Sequence, residues 1–281
     1  MIDLHTHSTF SDGLFTPEEI IEKAYKKGVR LLSLTDHDNV NGISDFLKYS
    51  KKFKDLNTII GCEVSSNFND VSDVHILALN IKDLKRLSIY SGKTNDIRRE
   101  RIKSSVKKLK ENGYNIDYER DINCTEFKCL TNRNLANILL NKKLVKTFEE
   151  AKGLILNGGI AYCNFYPLYP KVKDSIDNII SSGAIAVLAH PHRLKLNNEE
   201  LEKYIKKLVD HGLNGIECYH STSTLEQTEF FLKLAKKFNL IITGGSDHHG
   251  VPEETYKEFG MSNRLQRKIP ESIAEQFIKK I

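Results

Sequence analysis

The ten histidines of this 281-residue chain are distributed in a way that restricts its fold. Eight fall at the end of a short apolar run or just after one, and His220 closes a ninth such run. Those eight are His5, His7, His37, His75, His190, His192, His248 and His249. Runs of this kind are typical of buried strands, and the carboxyl ends of parallel strands meet at one face of an α/β barrel. The distribution therefore predicts an α/β fold with a polar site at one rim.

The first dozen residues carry half of a predicted metal site. His5 and His7 follow a short apolar entry and are two residues apart, so along a strand their side chains point the same way. Asp12 follows at a turn and can fold back toward them. Imidazoles with a nearby carboxylate suit a borderline divalent ion such as Zn²⁺, Mn²⁺ or Fe²⁺.

Composition limits the classes of partner and compartment. Lys and Arg total 42 against 37 for Asp and Glu, a mild excess that suits an anionic substrate but includes no basic block typical of nucleic-acid binding. The five cysteines form no CxxC pair, which disfavours a disulfide framework or a zinc knuckle and indicates a reducing compartment. Without a leader or a long uncharged run, we expect a soluble cytoplasmic protein with no membrane contact, and no protein partner is implied.

Strands and helices alternate over most of the chain. Thr16 and Glu19, with Pro17 between them, predict a helix that begins with a capping box. Seven strands can be counted, and all but one or two are followed by helices, which favours a parallel barrel over an open doubly wound sheet. No glycine-rich nucleotide fingerprint follows any strand, which disfavours a Rossmann or P-loop fold.

Residues 82–170 depart from this alternation. Charged helical stretches at 98–112, 134–142 and 147–156 replace the strands, and a loop rich in Tyr, Phe and Pro follows. We interpret 82–170 as a helical insertion that caps the mouth of a barrel built from residues 1–81 and 171–281, and that shapes the substrate pocket. A lid with only a packing role is the alternative.

Nine candidate ligands lie at or near predicted strand ends: His5, His7, Asp12, His37, Glu63, His75, His190, Asp247 and His249. Nine exceed the needs of one zinc ion and match two or three ions that share bridging carboxylates. Clustered ions offer a phosphate ester a nucleophile near neutral pH, neutralisation of the phosphoryl oxygens and stabilisation of the leaving oxygen. The set therefore predicts metal-dependent hydrolysis of a phosphoester.

The same residues resemble the motifs of the PHP (polymerase and histidinol phosphatase) family over nearly the whole chain. The resemblance implies a distorted (β/α)7 barrel with a helical insertion and a trinuclear centre that hydrolyses phosphoesters. One implied ion would be held by His5, His7, Glu63 and Asp247. A second would be held by Glu63, His75 and His190, and a third by Asp12, His37 and His249. Glu63 would bridge the first two, a metal-bound hydroxide would be the nucleophile, and the ions would be Mn²⁺, Zn²⁺ or Fe²⁺.

Within the family, the chain is most similar to the stand-alone branch that hydrolyses 3′,5′-nucleoside bisphosphates or degrades short RNA from the 5′ end. Arg193 is then an expected phosphate contact, because a guanidinium matches a phosphate better than an ammonium does. His220 lies in a segment that resembles the one this branch uses near the scissile phosphate. It would protonate the leaving oxygen or bind phosphate.

One segment departs from the family pattern. Relatives carry Arg-X-His-X-Ala in the insertion, whereas here Asn132, Arg133 and Asn134 precede Leu-Ala, so the arginine is displaced by one position and the histidine is replaced. Asn132 and Arg133 are candidate substrate contacts, and a solvent-facing helix charge is the alternative for Arg133. The departure leaves the choice of ester open.

Three alternatives to a nucleotide phosphoesterase stay open at this point. Two are enzymes, a histidinol-phosphate phosphatase and a phosphodiesterase for a small cyclic sugar phosphate. The third is a non-catalytic metal-binding PHP module of the kind attached to some polymerases. Such modules usually lose several ligands, whereas all nine are present here, so we expect catalysis.

Overall fold

The computed structural model describes residues 1–70, 72–123, 129–251, 257–262 and 267–279. Seven strands form one sheet: β1 (Ile2–Asp3), β2 (Leu31–Leu34), β3 (Asn57–Asn67), β4 (Asp73–Leu79), β5 (Ile185–Leu188), β6 (Gly215–His220) and β7 (Ile241–Gly245). A separate two-stranded ribbon pairs β8 (Met261–Ser262) with β9 (Arg267–Lys268).

The helices that precede the insertion and those that follow it cover the sheet. They are α1 (Pro17–Lys26), α2 (Ile43–Ser50), α6 (Val172–Ser181), α7 (Asn198–Asp210), α8 (Leu225–Lys237) and α9 (Glu271–Ile278). Between β4 and β5 lie α3 (Leu84–Glu111), α4 (Asn132–Asn141) and α5 (Phe148–Ile155). The predicted capping box of α1 is confirmed, since Thr16 and Glu19 exchange side-chain and backbone hydrogen bonds.

The seven strands are hydrogen-bonded in chain order, and β1 lies against β7, so the sheet nearly closes. The Leu4 N–H donates to the Gly244 carbonyl at 3.0 Å, just beyond the end of β1. Gly245 permits this close approach, because a Cβ at that position would collide with His5. The predicted distorted (β/α)7 barrel is confirmed.

One strand departs from the predicted parallel order. β4 runs antiparallel to both of its neighbours, β3 and β5, and only five residues separate it from β3. His75 therefore lies near the start of its strand and not at its end, which corrects the sequence interpretation. Because the strand is reversed, its start lies at the rim where the parallel strands end, so His75 still reaches the site.

The barrel and the inserted helices have separate hydrophobic clusters. Inside the barrel, Ile2, Leu4, Leu77 and Val187 are fully buried with their neighbours. The second half of α3 packs with α4 and α5 around a different buried cluster that spans residues 102–161. α3 begins 14 residues before the helical stretch predicted from the sequence, and the other two inserted helices lie within about two residues of their predicted bounds.

The helices and the cysteines of the described residues can be compared with what the sequence predicts about membrane contact and disulfides. None of the described helices is both long enough and apolar enough to cross a membrane. Four cysteines, Cys62, Cys129, Cys163 and Cys218, are buried free thiols, and the fifth, Cys124, lies outside the described residues.

Candidate metal centre

All nine candidate ligands converge at the rim of the barrel, and the side chain of Glu63 lies at the centre. Glu63 is fully buried on β3, in the face of the sheet that lines the barrel interior. Its Oε1 lies 2.8 Å from His75 Nδ1 and 2.9 Å from His190 Nε2. Three further imidazoles lie within 3.3 Å of its Oε2, those of His5, His7 and His37. One carboxylate therefore contacts five of the predicted ligands.

Asp247 completes one group of ligands. Its Oδ1 lies 3.5 Å from His5 Nε2 and 3.2 Å from His7 Nε2. Together with Glu63, these side chains direct four ligand atoms at a common point, all within 4.8 Å of one another. This group has the same members as the first ion site implied by the resemblance.

Asp12 anchors a second group on the other side of His7. Its Oδ1 lies 3.3 Å from His249 Nε2, 3.8 Å from His37 Nε2 and 4.0 Å from His7 Nδ1. The structure thus gathers the three predicted ligands of the third ion and adds His7, whose two ring nitrogens face the two groups.

A third group, of the four ligand groups in the described residues, differs from the expected one in a single member. His37, Glu63 and His75 bring ligand atoms within 4.8 Å of one another, whereas the resemblance paired Glu63 and His75 with His190. His190 is nevertheless in contact with Glu63 Oε1. His37 therefore lies between two groups, with Nδ1 toward Glu63 and Nε2 toward Asp12.

The buried polar atoms of this cluster fit divalent cations. Several of them have no hydrogen bond within the described part of the chain: His5 Nε2, both ring nitrogens of His7, Asp12 Oδ1, His37 Nδ1 and Glu63 Oε2. Burying a polar atom without a partner costs roughly 1–3 kcal/mol. Imidazole nitrogens and carboxylate oxygens converging at ligand distances are the donor set that Mn²⁺, Fe²⁺ and Zn²⁺ accept. Bound cations would satisfy these atoms together.

The pKa shifts in the cluster also indicate that its buried carboxylates are stabilised by nearby positive charge. Burial would raise the pKa of Glu63, but the charges of His37, His75 and His5 hold it well below its usual range. Burial would likewise lower the pKa of His7, but the carboxylates of Asp247 and Glu63 raise it to about 9. The nearby carboxylates also raise the pKa values of His5 and His75, so in the absence of metal protons on these two imidazoles and on His7 balance the buried carboxylates, and divalent ions would take over that role.

Three of the eight non-glycine residues with positive φ in the described part of the chain lie at the cluster or next to it. His190 has a φ of +29° and Asp247 has a φ of +55°, and Asp38, the residue after His37, has a φ of +45°. Positive φ is uncommon for residues other than glycine and persists only where the surrounding structure imposes it. In each case the strained residue is a candidate ligand or is adjacent to one.

Glu217 orients two of the candidate ligands, and the sequence analysis did not single it out. Its Oε1 lies 3.0 Å from His5 Nδ1, and its Oε2 accepts the backbone N–H of His190 at 2.7 Å. The sequence contained a signal, because a fully buried acid inside the apolar strand β6 needs partners. Asp73 has the same relation to His75, with Oδ2 3.1 Å from Nε2.

Glu217→Gln is expected to weaken metal binding about 10- to 100-fold, the usual effect of losing a carboxylate that orients a ligating histidine. A glutamine has one acceptor oxygen and cannot accept both N–H groups. The measurement is metal titration of the apoprotein, followed by metal analysis after dialysis. Wild-type affinity in the variant would show that Glu217 does not orient His5.

Arg193 and His220 both lie near Asp247 Oδ2, the carboxylate oxygen opposite the one that faces His5 and His7. Arg193 Nη2 donates to Asp247 Oδ2 at 2.6 Å, and its side chain is 40% exposed in a cavity of about 440 Å³ that also reaches His75 and His190. His220 is fully buried, with Nε2 3.7 Å from Asp247 Oδ2. The Thr222 N–H donates to His220 Nδ1 at 3.1 Å, which assigns the proton of the neutral ring to Nε2.

The divergent segment of the insertion is attached to Asp12. Thr131 Oγ1 donates to Asp12 Oδ2 at 2.9 Å, and Arg133 Nε lies 3.8 Å from the same oxygen. Asn134, which replaces the family histidine, accepts the Thr131 N–H at 2.7 Å and donates to the Ser11 carbonyl at 3.3 Å. It thus completes the capping box of α4, in which Thr131 is the N-cap residue, and contacts the loop of Asp12. Asn132 lines a second cavity, of about 610 Å³, together with Arg133.

A family model described as "PHP domain" matches residues 3–217 of the chain. The chain belongs to the PHP domain family. This match confirms the resemblance inferred from the motifs, and it covers most of the residues that form the cluster.

Three curated relatives of this PHP chain are similar to it over nearly its whole length. A phosphoribosyl 1,2-cyclic phosphate 1,2-diphosphodiesterase from Eggerthella lenta is 32% identical over 88% of this chain and 94% of its own. A 5′-3′ exoribonuclease from Haemophilus influenzae is 29% identical over 88% of this chain and 89% of its own. A 3′,5′-nucleoside bisphosphate phosphatase from Chromobacterium violaceum is 27% identical over 94% of this chain and 92% of its own. All three names denote phosphoesterases, which confirms the predicted enzyme class.

Proposed function

We propose that this chain hydrolyses phosphate esters of nucleotides, either a 3′,5′-nucleoside bisphosphate or the 5′ end of a short oligonucleotide. The observation that carries the proposal is the buried cluster of imidazoles and carboxylates around Glu63. One cavity beside it is lined by His75 and His190, and another is lined by Arg133, whose Nε lies 3.8 Å from Asp12 Oδ2. Two cavities suit a substrate that has a second bulky or charged group beside the ester being cleaved.

We assign three ions to the cluster. The Asp247 group holds the first, Glu63, His75 and His190 hold the second with His37 adjacent, and the Asp12 group holds the third. Such ions supply an activated water near neutral pH and neutralise the phosphoryl oxygens. The ligand chemistry accepts Mn²⁺, Fe²⁺ or Zn²⁺, and supply selects among them.

The remaining residues bind and orient the ester. Arg193 lines the 440 Å³ cavity with Lys195, so two cationic side chains face the space beside His75 and His190. Because Arg193 also donates to Asp247, it can hold a phosphoryl oxygen close to the first group of ligands. His220 is buried, and its Nε2 lies 3.7 Å from Asp247 Oδ2 without a hydrogen bond between them. We therefore assign His220 a role in positioning Asp247 rather than contact with the leaving oxygen.

The inserted helices act as the substrate cap in this proposal. The separate hydrophobic cluster of residues 102–161 supports a division in which residues 82–170 form a cap on a barrel of residues 1–81 and 171–281. The 610 Å³ cavity lies against α4 and α5, so the cap lines one side of the substrate space. A lid without substrate contacts would not need this cavity.

The second candidate is hydrolysis of a cyclic ribose phosphate. It is favoured by the 32% identity to the Eggerthella lenta enzyme over most of both chains. The two candidates differ in what lies beyond the ribose phosphate, since only a nucleotide brings a base.

Chromatographic detection of the products formed from a panel of substrates tests the proposal, because cleavage of a phosphodiester yields a nucleotide or a ring-opened ester and not inorganic phosphate. The panel contains adenosine 3′,5′-bisphosphate, a 5′-phosphorylated dinucleotide, 5-phosphoribosyl 1,2-cyclic phosphate and histidinol phosphate, each assayed with Mn²⁺ and with Zn²⁺. We expect the highest kcat/KM for one of the nucleotides. Turnover confined to the cyclic phosphate or to histidinol phosphate would refute the proposal, and no turnover by metal-loaded protein would indicate a non-catalytic module.

A further inference from the structure

The 610 Å³ cavity has a composition that the metal cluster does not explain. It lies between α4 and α5, and an aromatic ring, three cationic side chains and two amides line it: Phe148, Arg133, Lys146, Lys152, Asn132 and Asn137. Its volume falls within the usual range of small-molecule sites, about 300–1,000 Å³. One acidic side chain, Glu149, lines it as well and is paired with Lys152 at 3.0 Å. The side chains that line the cavity therefore carry a net positive charge.

The cavity is connected to the candidate metal centre through two residues. Arg133 lines the cavity and places Nε 3.8 Å from Asp12 Oδ2. Val251 lines it too and follows the candidate ligand His249 by two residues. A molecule with one end at the metal cluster can thus extend past Arg133 into this space.

Phe148 gives the cavity an aromatic surface at the start of α5. Its ring centroid lies 5.7 Å from Arg133 Cζ and 5.8 Å from Lys152 Nζ, so cationic groups flank the ring. Thr147 caps the helix and fixes the position of this first turn. Nucleobases stack on such rings, and cations near the ring attract the phosphates attached to the same nucleotide.

We propose that this cavity is a nucleoside site, in which the base stacks on Phe148 and the amide of Asn137 contacts the base edge. Arg133 lies between the base and the metal cluster and contacts the phosphate or sugar on that path. The inference rests on the proposed function. It assigns a binding site to the base, which is the part of a nucleotide that a base-free sugar phosphate lacks.

Phe148→Leu tests the site, because leucine keeps apolar packing against the inserted helices and removes the aromatic face. Loss of one base-stacking contact corresponds to an effect of roughly 5- to 150-fold. We expect KM for adenosine 3′,5′-bisphosphate to rise by an amount in that range, with kcat and metal content near wild type. Phe148→Tyr keeps the ring and is expected to restore the wild-type KM.

A base-free substrate provides the internal control. KM for 5-phosphoribosyl 1,2-cyclic phosphate is expected to be the same in wild type and Phe148→Leu. An unchanged KM for the nucleotide in Phe148→Leu, or an equal rise for both substrates, would overturn the nucleoside site.

Calorimetry with adenosine 5′-monophosphate separates this inference from the proposed reaction. Binding by wild type that weakens in Phe148→Leu would support the site even if the panel showed that a different ester is hydrolysed. Absence of nucleotide binding by the metal-loaded wild-type protein would refute the site, whatever the enzyme hydrolyses.

Discussion

Glu63→Gln is expected to lower kcat/KM for the preferred substrate by at least about 10³-fold, which corresponds to ~4 kcal/mol of transition-state stabilisation. Both carboxylate oxygens contact candidate ligands, and a glutamine at this position presents one oxygen and an NH2 group that cannot ligate a cation. The variant is also expected to lose bound metal. Kinetics and metal analysis of the same preparation provide the measurement.

Glu226→Gln is the matched control, since Glu226 is exposed in the first turn of α8. It should retain wild-type activity and metal content. Circular dichroism of both variants should match wild type, because a glutamine fills the same volume as the glutamate. Full activity of Glu63→Gln with unchanged metal content would contradict the assignment of Glu63 as the central ligand.

Arg98→Met is expected to destabilise the protein by about 3–5 kcal/mol, the cost of breaking a buried ion pair by removing one partner. Arg98 on α3 is 4% exposed, and its Nε donates to Asp38 Oδ2 at 2.9 Å. The change leaves the Asp38 carboxylate buried next to His37 without its arginine. Urea denaturation of the metal-free proteins measures the difference in the free energy of unfolding.

A second substitution isolates the charge effect. Asp38→Asn combined with Arg98→Met removes both charges, and asparagine tolerates the φ of +45° at this position. We expect the double variant to be more stable than Arg98→Met alone. If the double variant and Arg98→Met have the same free energy of unfolding, the destabilisation arises from lost packing around α3 and not from the unpaired charge of Asp38.

The convergence of the nine candidate ligands at one rim could be predicted from the sequence because each of them is a local signal. His37 and Glu63, for example, each follow or interrupt an apolar run, and the barrel rule brings such positions to one rim. The grouping was less predictable. His7 and His37 each face two groups, and this depends on ring orientations that no spacing specifies.

The prediction that β4 runs parallel to its neighbours is wrong, although the length of its connection to β3 indicates the correct direction. Residue alternation is the same in parallel and antiparallel strands, so the pattern at 73–79 does not give direction. The connection does, since a parallel crossover needs about a dozen residues and only five separate β3 from β4. The short connection indicates a hairpin.

Contacts between distant parts of the chain could not be predicted from one sequence. Glu217 and His5 are 212 residues apart, and Arg98 and Asp38 are 60 apart. A buried glutamate or arginine requires a partner, but the sequence alone offers many candidates. Only the fold identifies Glu217 as the residue that orients His5, and Arg98 as the link between α3 and the loop of His37.

The antiparallel pairing of β3 with β4 has an implication for how this hairpin can vary in length. Ser65 pairs with His75, so a slip of one residue would turn the imidazole to the outer face of the sheet, and a slip of two would displace it by about 7 Å along the strand. Neither offset leaves the ring beside Glu63. Natural variants of the chain should therefore tolerate insertions at the tip of the hairpin only where the extra residues bulge outward and the pairing of the two strands is preserved.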